Sequence, residues 1–265
     1  MKPFIYVSII AIFTTDCTKV IHPDLGTDAG LLDIEANITD VDTAQVIYLR
    51  QNVAFSATNE YPPVTGASVV VSDNSGNQYA FSETTPGVYV SSPFAGRADV
   101  GYTLQANVNG TTYLATSTMP TSVRLDSVTD KNRPLNRNSD GRDQKVISVY
   151  YQDPPGIPNQ YRFIEWVNGV QVKSVFTFDD QLTDGRYVTS DLLEQDIDIY
   201  AGDVVKVEMQ CIDLPIYTYW FALESQQANN FNGAVAPANP PTNISPATLG
   251  YFSVHTTQTI TYTVK

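Results

Sequence analysis

The sequence predicts an all-β protein of two β-sandwich domains, the first immunoglobulin-like and the second carrying one short helix. Three observations point there. Apolar and polar residues alternate with a period of two through most of the chain. Two Asn-Gly pairs, Asn109-Gly110 and Asn168-Gly169, separate such runs, and that pair suits a hairpin turn in which both central residues need positive φ. Only one window changes to helical spacing. The length of 265 residues fits two domains of about 100–150 residues each.

The elements follow in order. Leu32, Ile34 and Ala36 alternate with Asp33, Glu35 and Asn37, and a second run covers 45–50. Residues 59–63 read as a loop through Pro62-Pro63, and runs at 67–72 and 77–82 flank the turn composition Asp73-Asn74-Ser75-Gly76. A short strand at 87–90 follows Thr85-Pro86. Tyr102, Leu104, Ala106 and Val108 then form the clearest face, which Tyr113 and Ala115 resume after the Asn-Gly turn. Met119-Pro120 closes a domain spanning 31–120. Strands at 8–12-residue spacing with no helical window are the pattern of an immunoglobulin-like sandwich. Residues 130–143 are polar and rich in Asn and Arg, a loop or linker. The second domain, 123–265, has strands at 145–152, 161–167, 170–178 and 204–212, with a turn at 153–158 and an acidic loop at 179–185. Ile216, Trp220 and Leu223 fall at helical spacing, with Asp213 as cap and Pro215 in the first turn, so a helix is expected near 214–227 with Trp220 packed in the core. A loop rich in Asn, Pro and Ala, 229–250, precedes final strands at 251–256 and 259–264. Loops of that length are often functional.

The chain carries 28 acidic and 15 basic residues, a net charge of −13. That excludes nucleic acid as a partner, because no basic excess exists to neutralise phosphates. Charged residues are 16% of the chain, against about 25% in an average globular protein, so Ser, Thr, Asn, Gln and Tyr must build much of the surface. At the amino end, Lys2 precedes an apolar run at 4–13, too short for the roughly 20 residues that a bilayer span needs. The run matches a signal-peptide core, and Cys17 follows at the place where lipoproteins are cleaved and acylated. A signal peptide at 1–16 and a polar tether at 17–30 are therefore expected, with Cys17 as the lipid attachment. Asp16 stands where such sites carry Gly, Ala or Ser. An ordinary secretory signal with a nearby cysteine, or a buried first strand, is the competing reading. Acylated at Cys17, the protein is anchored to a membrane surface without spanning it. Cys211, the other cysteine, lies in an alternating run and reads as a buried core thiol.

Catalytic and metal constellations are sparse. His22 falls in the tether and His255 near the chain end, neither with a ligand partner at metal spacing. His255 reads as a half-exposed strand residue. No nucleophile elbow, phosphate-binding loop or dinucleotide glycine pattern is present, and no cofactor is expected. The one set of candidate acids is Asp179, Asp180, Asp184, Asp191, Glu194, Asp196 and Asp198, which suits a glycosidase pair or Ca²⁺ less well than a loop and solvated face. Trp166, beside the second Asn-Gly turn, and the abundant tyrosines suit either ligand stacking or cross-strand packing. Asp42-Thr43-Ala44 and Asp126-Ser127-Val128 resemble the short acceptor for O-glycosylation of exported Bacteroidota proteins, which makes Thr43 and Ser127 candidate attachment points.

Asp153-Pro154-Pro155-Gly156, the helical Tyr217-Thr218-Tyr219-Trp220-Phe221-Ala222-Leu223 and the late runs Pro240-Pro241-Thr242-Asn243-Ile244 and Leu249-Gly250-Tyr251-Phe252 carry a resemblance. With Cys17-Thr18-Lys19-Val20-Ile21 and the run from Tyr61 to Ala67, they resemble domain-of-unknown-function family four-two-four-nine along essentially the whole chain. The resemblance implies a Bacteroidota outer-membrane lipoprotein, often encoded near a TonB-dependent receptor, and carries over no catalytic residue. The expected function is a non-enzymatic accessory to such a receptor, docking to it or capturing a solute. A structural or adhesive surface module is the alternative, and a carboxylate-dependent glycan-active enzyme the third.

Overall fold

A computed structural model describes residues 30–53, 60–134, 141–229 and 238–265. The expected signal peptide, Cys17, His22 and all of the tether but Gly30 lie outside the described residues, as do 230–237 of the late loop. The described residues are mostly β with one helix, as the alternation predicts. The strands are β1 (Leu32–Thr39), β2 (Val46–Gln51), β3 (Ser68–Asp73), β4 (Gln78–Thr85), β5 (Val88–Ser91), β6 (Gly101–Val108), β7 (Thr111–Thr118), β8 (Leu125–Asn132), β9 (Lys145–Gln152), β10 (Gln160–Val167), β11 (Val170–Gln171), β12 (Phe176–Asp179), β13 (Tyr187–Leu192) and β14 (Val204–Ile212). The helix α1 (Leu214–Asn229), β15 (Ile244–Ser245) and β16 (Leu249–Thr263) complete the order.

A small sheet runs β13-β9-β8, and a large one β11-β10-β14-β16-β1-β2-β5-β4-β3-β6-β7-β15, with β12 also paired to β10. In β1, burial alternates strictly, with Ile34, Ala36 and Ile38 inward and Asp33, Glu35 and Asn37 on the other face. Tyr89, Tyr102, Leu49, Leu104 and Val71 fill the first core with them. The β6–β7 hairpin turns at Asn109 and Gly110, with φ of 49° and 83°, and the β10–β11 hairpin turns at Asn168 and Gly169, with φ of 50° and 83°. Both are the positive-φ pairs that the Asn-Gly signal requires. The second core lies between the small sheet and β10, β14 and the end of β16, around Tyr151, Tyr161, Phe163, Val205, Val207 and Leu192.

The strand β16 joins the two halves. Its first part pairs in parallel with β1, from Asp33↔Leu249 to Thr39↔His255, and its second part antiparallel with β14, from Cys211↔Thr256 to Val204↔Thr263. Two cores thus share one large sheet, and Ile244, Phe252 and Val254 from the chain's end pack in the first core, across the expected boundary at 120/123. Gly250 permits the close approach. Its φ is +86°, and a Cβ there would meet the Ile34 carbonyl oxygen at 2.1 Å and Asp33 Oδ1 at 2.6 Å. His255 corrects the sequence reading: it is 2% exposed, because β1 and β14 flank it where the strand changes partners. Its Nδ1 shares a 2.9 Å hydrogen bond with Ser253 Oγ.

The helix begins where Asp213 accepts backbone bonds from Ile216 and Tyr217. The Asp213 side chain, by contrast, accepts from Ser117 Oγ and Thr118 N, both at 2.9 Å, which ties the helix start to β7. α1 does not enter either main core. Among its described side chains Ile216 alone is fully buried, against Ile212 and Tyr251. Trp220, expected in the core, is half-buried on the outer face of the large sheet, packed edge-on to Tyr251 at 5.2 Å.

Candidate functional site

The acids of 179–198 do not converge on one site; they serve as local ties. Asp179 accepts from Tyr217 OH at 3.2 Å. Asp191 pairs with Lys131 at 2.7 Å and accepts from Ser148 Oγ at 2.7 Å. Glu194 is 1% exposed and pairs with Arg133 at 2.5 Å. Asp196 accepts the Lys173 backbone N–H at 2.9 Å, and Asp198 accepts from the Gln144 amide. Glu194 and Asp180 are buried, which corrects the expectation of a solvated face for these two.

Asp180 and Asp184 do meet a third carboxylate, Asp153 from the Pro-Pro-Gly turn. One oxygen of each lies within 4.8 Å of the others. Asp153 accepts from Tyr161 OH at 2.5 Å and Gly185 N at 3.2 Å, Asp180 from Asn159 N at 2.9 Å, and Asp184 from Gly156 N at 2.6 Å. These bonds staple the loop after β9 to the loop after β12. Burial raises the Asp153 pKa, against the Tyr161 hydrogen bond. The trio supplies three hard oxygen donors, half of the smallest Ca²⁺ shell of about six ligands.

Clefts flank α1. On one side, an opening of about 400 Å³ lies between Asp33, Arg50, Tyr61, Tyr219 and Asn239. Burial raises the pKa of Asp33, against the charge of Arg50, while Arg50 itself lies 3.7 Å from Glu35 and over the Tyr48 ring. On the other side, an opening of about 340 Å³ is lined by Arg162, Ile164, Lys173, Ser174 and Trp220. Tyr251 stands between them, in contact with Tyr219 and Trp220, and burial pushes its hydroxyl up to about 12. A larger cleft of about 520 Å³ opens between β12 and the segment after β13, along Phe176, Phe178, Leu193, Asp191 and Glu224. The arrangement offers aromatic faces beside single charges, which is how small-molecule clefts fix orientation.

Sequence reasoning missed Arg162 and Asp33. The signal was strand parity: each alternates with core residues, so it faces outward onto the side that α1 covers. Trp166 shares that face, with Lys206 Nζ 3.6 Å from its ring centroid. Cys211 is buried at 2% exposure and accepts from Val123 N, and burial raises its thiol pKa. Thr43 lies on an exposed loop bridged to Phe94. Ser127 is half-buried in β8, where the pairing with β9 shifts register. Cys17 lies outside the described residues. No helix among them is long and apolar enough to cross a membrane.

Comparison with curated proteins returns no match. The profile of one family, described as "Domain of unknown function (DUF4249)", matches residues 18–261. That span takes in the first core, nearly all of the second and of the strand that joins them, and the clefts described around α1, so the chain belongs to this family of unknown function.

Proposed function

We infer that this is a lipid-anchored envelope protein, held at the outer membrane through Cys17, which works by contact as an accessory to a TonB-dependent receptor. It docks to that receptor or holds a solute for it, and performs no catalysis. The observation that carries the reading is the amino-terminal order: Lys2, an apolar run at 4–13, Cys17, then a polar stretch before the first strand at Leu32. The clefts beside α1 support it, since they present aromatic rings and single charges on a rigid sheet. The ties made by Asp179, Asp191, Glu194, Asp196 and Asp198 support it too, because they commit the candidate acids to holding loops and strands together.

Two measurements test the reading. Replacing Cys17 by Ala is expected to move the protein from the membrane fraction to the soluble one. Affinity purification from native membranes with the anchor intact is expected to recover a receptor in stoichiometric amount. Membrane attachment that survives Cys17→Ala contradicts the anchor, and recovery of the protein alone contradicts the receptor partner.

A further inference from the structure

Among the described residues, Arg162 is a cation without a directly paired carboxylate, in a chain that has acids to spare. With 28 acidic residues against 15 basic ones, partners are plentiful. Arg50, Arg97, Arg124, Lys131, Arg133 and Lys145 each lie within 4.0 Å of a carboxylate. Arg162 forms no such pair among the described residues. Its Nη1 donates a long 3.3 Å bond to the neutral Gln210 Oε1, and Gln210 Nε2 donates onward to Glu208 at 2.8 Å, so Glu208 is linked to it only through an amide. The guanidinium carbon lies over the Trp220 ring, 3.5 Å from its centroid. A guanidinium stacked on a ring keeps its N–H donors along its edge, and Arg162 lines the cleft beside Trp220. Burial lowers its pKa, opposed by the Tyr251 hydroxyl and by the carboxylates of Glu208 and Glu35, none of which pairs with it directly.

The second cation of that cleft is Lys173, exposed and also without an ion pair among the described residues. It sits on an arch, residues 172–175, where the chain leaves β10 between β11 and β12. The arch is fixed from outside: Asp196 accepts Lys173 N at 2.9 Å, Gln227 accepts Val175 N at 2.9 Å, and Ser174 Oγ accepts Gln195 N at 3.2 Å. Ser174 therefore keeps its own O–H to donate. Arg162, Lys173 and Ser174 thus line one space of about 340 Å³, with Trp220 as its aromatic wall.

We propose that this cleft binds the oxyanion group, carboxylate or phosphate, of a small solute. Arg162 grips two oxygens in a bidentate pair, Lys173 adds charge at the mouth, and Trp220 packs against the carbon skeleton. The assignment deepens the solute-holding reading above and relies on it only for the biological use of the site. Binding is tested on the isolated protein, so its failure is distinct from failure to recover a receptor.

The test is a fluorescence titration of the full chain in detergent, with Trp166→Phe as background so that Trp220 is the sole reporter. Inorganic phosphate and succinate are the separate probes, at constant ionic strength. A saturable change with one or both is expected, and which probe wins identifies the oxyanion. Arg162→Gln should weaken binding at least about tenfold, the loss of one charge-assisted contact of about 1.4 kcal/mol. Lys173→Gln, at an exposed position that leaves the fold intact, should weaken it about threefold, the size of an exposed charge contact. No saturable change with either probe, or titrations unaltered by both substitutions, overturns the proposal.

Discussion

Glu165 faces the second core from β10, between Phe163 and Val167, and is 1% exposed. Neither carboxylate oxygen has a hydrogen-bond partner. Burial, reinforced by Glu194 and Asp196 and opposed by Arg133, raises its pKa to about 8. The group is therefore folded as a neutral acid at pH 7, which is the form that a dry site tolerates. The folded state binds this proton more tightly than the unfolded chain does. Stability must fall as pH rises from the unfolded value near 4.5 to about 8, by up to roughly 1.4 kcal/mol per unit, and level off above. Glu165→Gln keeps the shape and removes the titration. The variant is expected to match the parent near pH 4.5 and to exceed it by at least about 2 kcal/mol at pH 9, read from urea midpoints. Parallel pH profiles for the two proteins would contradict this. The placement of Glu165 was legible, because the parity of Tyr161, Phe163 and Val167 sets it on the same face. What parity does not show is whether a partner waits there, since Glu194 and Arg133 arrive from segments 29 and 32 residues away.

At the scale of elements, local signals were read and long-range ones were not. The Asn-Gly turns and the alternation of β1 and β6 depend on neighbours in sequence, and the structure realises them directly. The parallel pairing of β1 with β16 depends on chain ends more than 200 residues apart. From Gly250 to Thr256, β16 is buried on both faces, so period-two alternation cannot register its central place. The helix was placed by its spacing, yet its task is invisible from spacing. Gln227 Oε1 accepts Val175 N at 2.9 Å, and Glu224 Oε2 accepts Thr177 N at 3.1 Å. Gln227 Nε2 also donates to the Lys173 carbonyl at 3.0 Å. These side chains occupy the outward edge of β12, where another strand would otherwise add. Replacing Glu224 and Gln227 together by Ala should cost about 1–3 kcal/mol for each amide left unmade, and should make association more dependent on concentration than in the parent. Sedimentation velocity across a hundredfold range of concentration reads this. A variant with the association state and stability of its parent would show that the edge needs no cover.

For the whole molecule, the titrations combine into a stability optimum on the acid side of neutrality. Burial raises the pKa of Asp33, Glu35, Asp153, Glu165, Glu194, Asp213 and Glu224. Each of these binds its proton better folded than unfolded, so each removes stability as pH climbs from about 4 through its folded value. His255 acts in the opposite direction: burial lowers its pKa to about 3, so the folded state keeps the ring neutral. The unfolded chain takes up that proton below about 6.5, and stability is lost as pH falls from there toward 3. Asp73, whose pKa is lowered first by the Asn77 side chain, adds to the acid loss. So do Asp130 and Asp191, in which burial is outweighed by hydrogen bonds and lysines; their contribution disappears as pH drops below about 4. The net charge of −13 adds repulsion on the alkaline side, where every carboxylate is ionised and nothing offsets the excess. Melting temperature is therefore expected to peak between about pH 5 and 6 and to drop by about 5 °C or more at pH 9, at roughly 2–4 °C per kcal/mol for a chain of this size. Added NaCl should recover part of the alkaline loss by screening the repulsion, and none of the part due to Glu165, whose burial salt does not reach. A profile that is flat or rising from pH 6 to 9 would mean that the raised carboxyls relax into solvent when ionised, and that the interior around Glu165 opens at little cost.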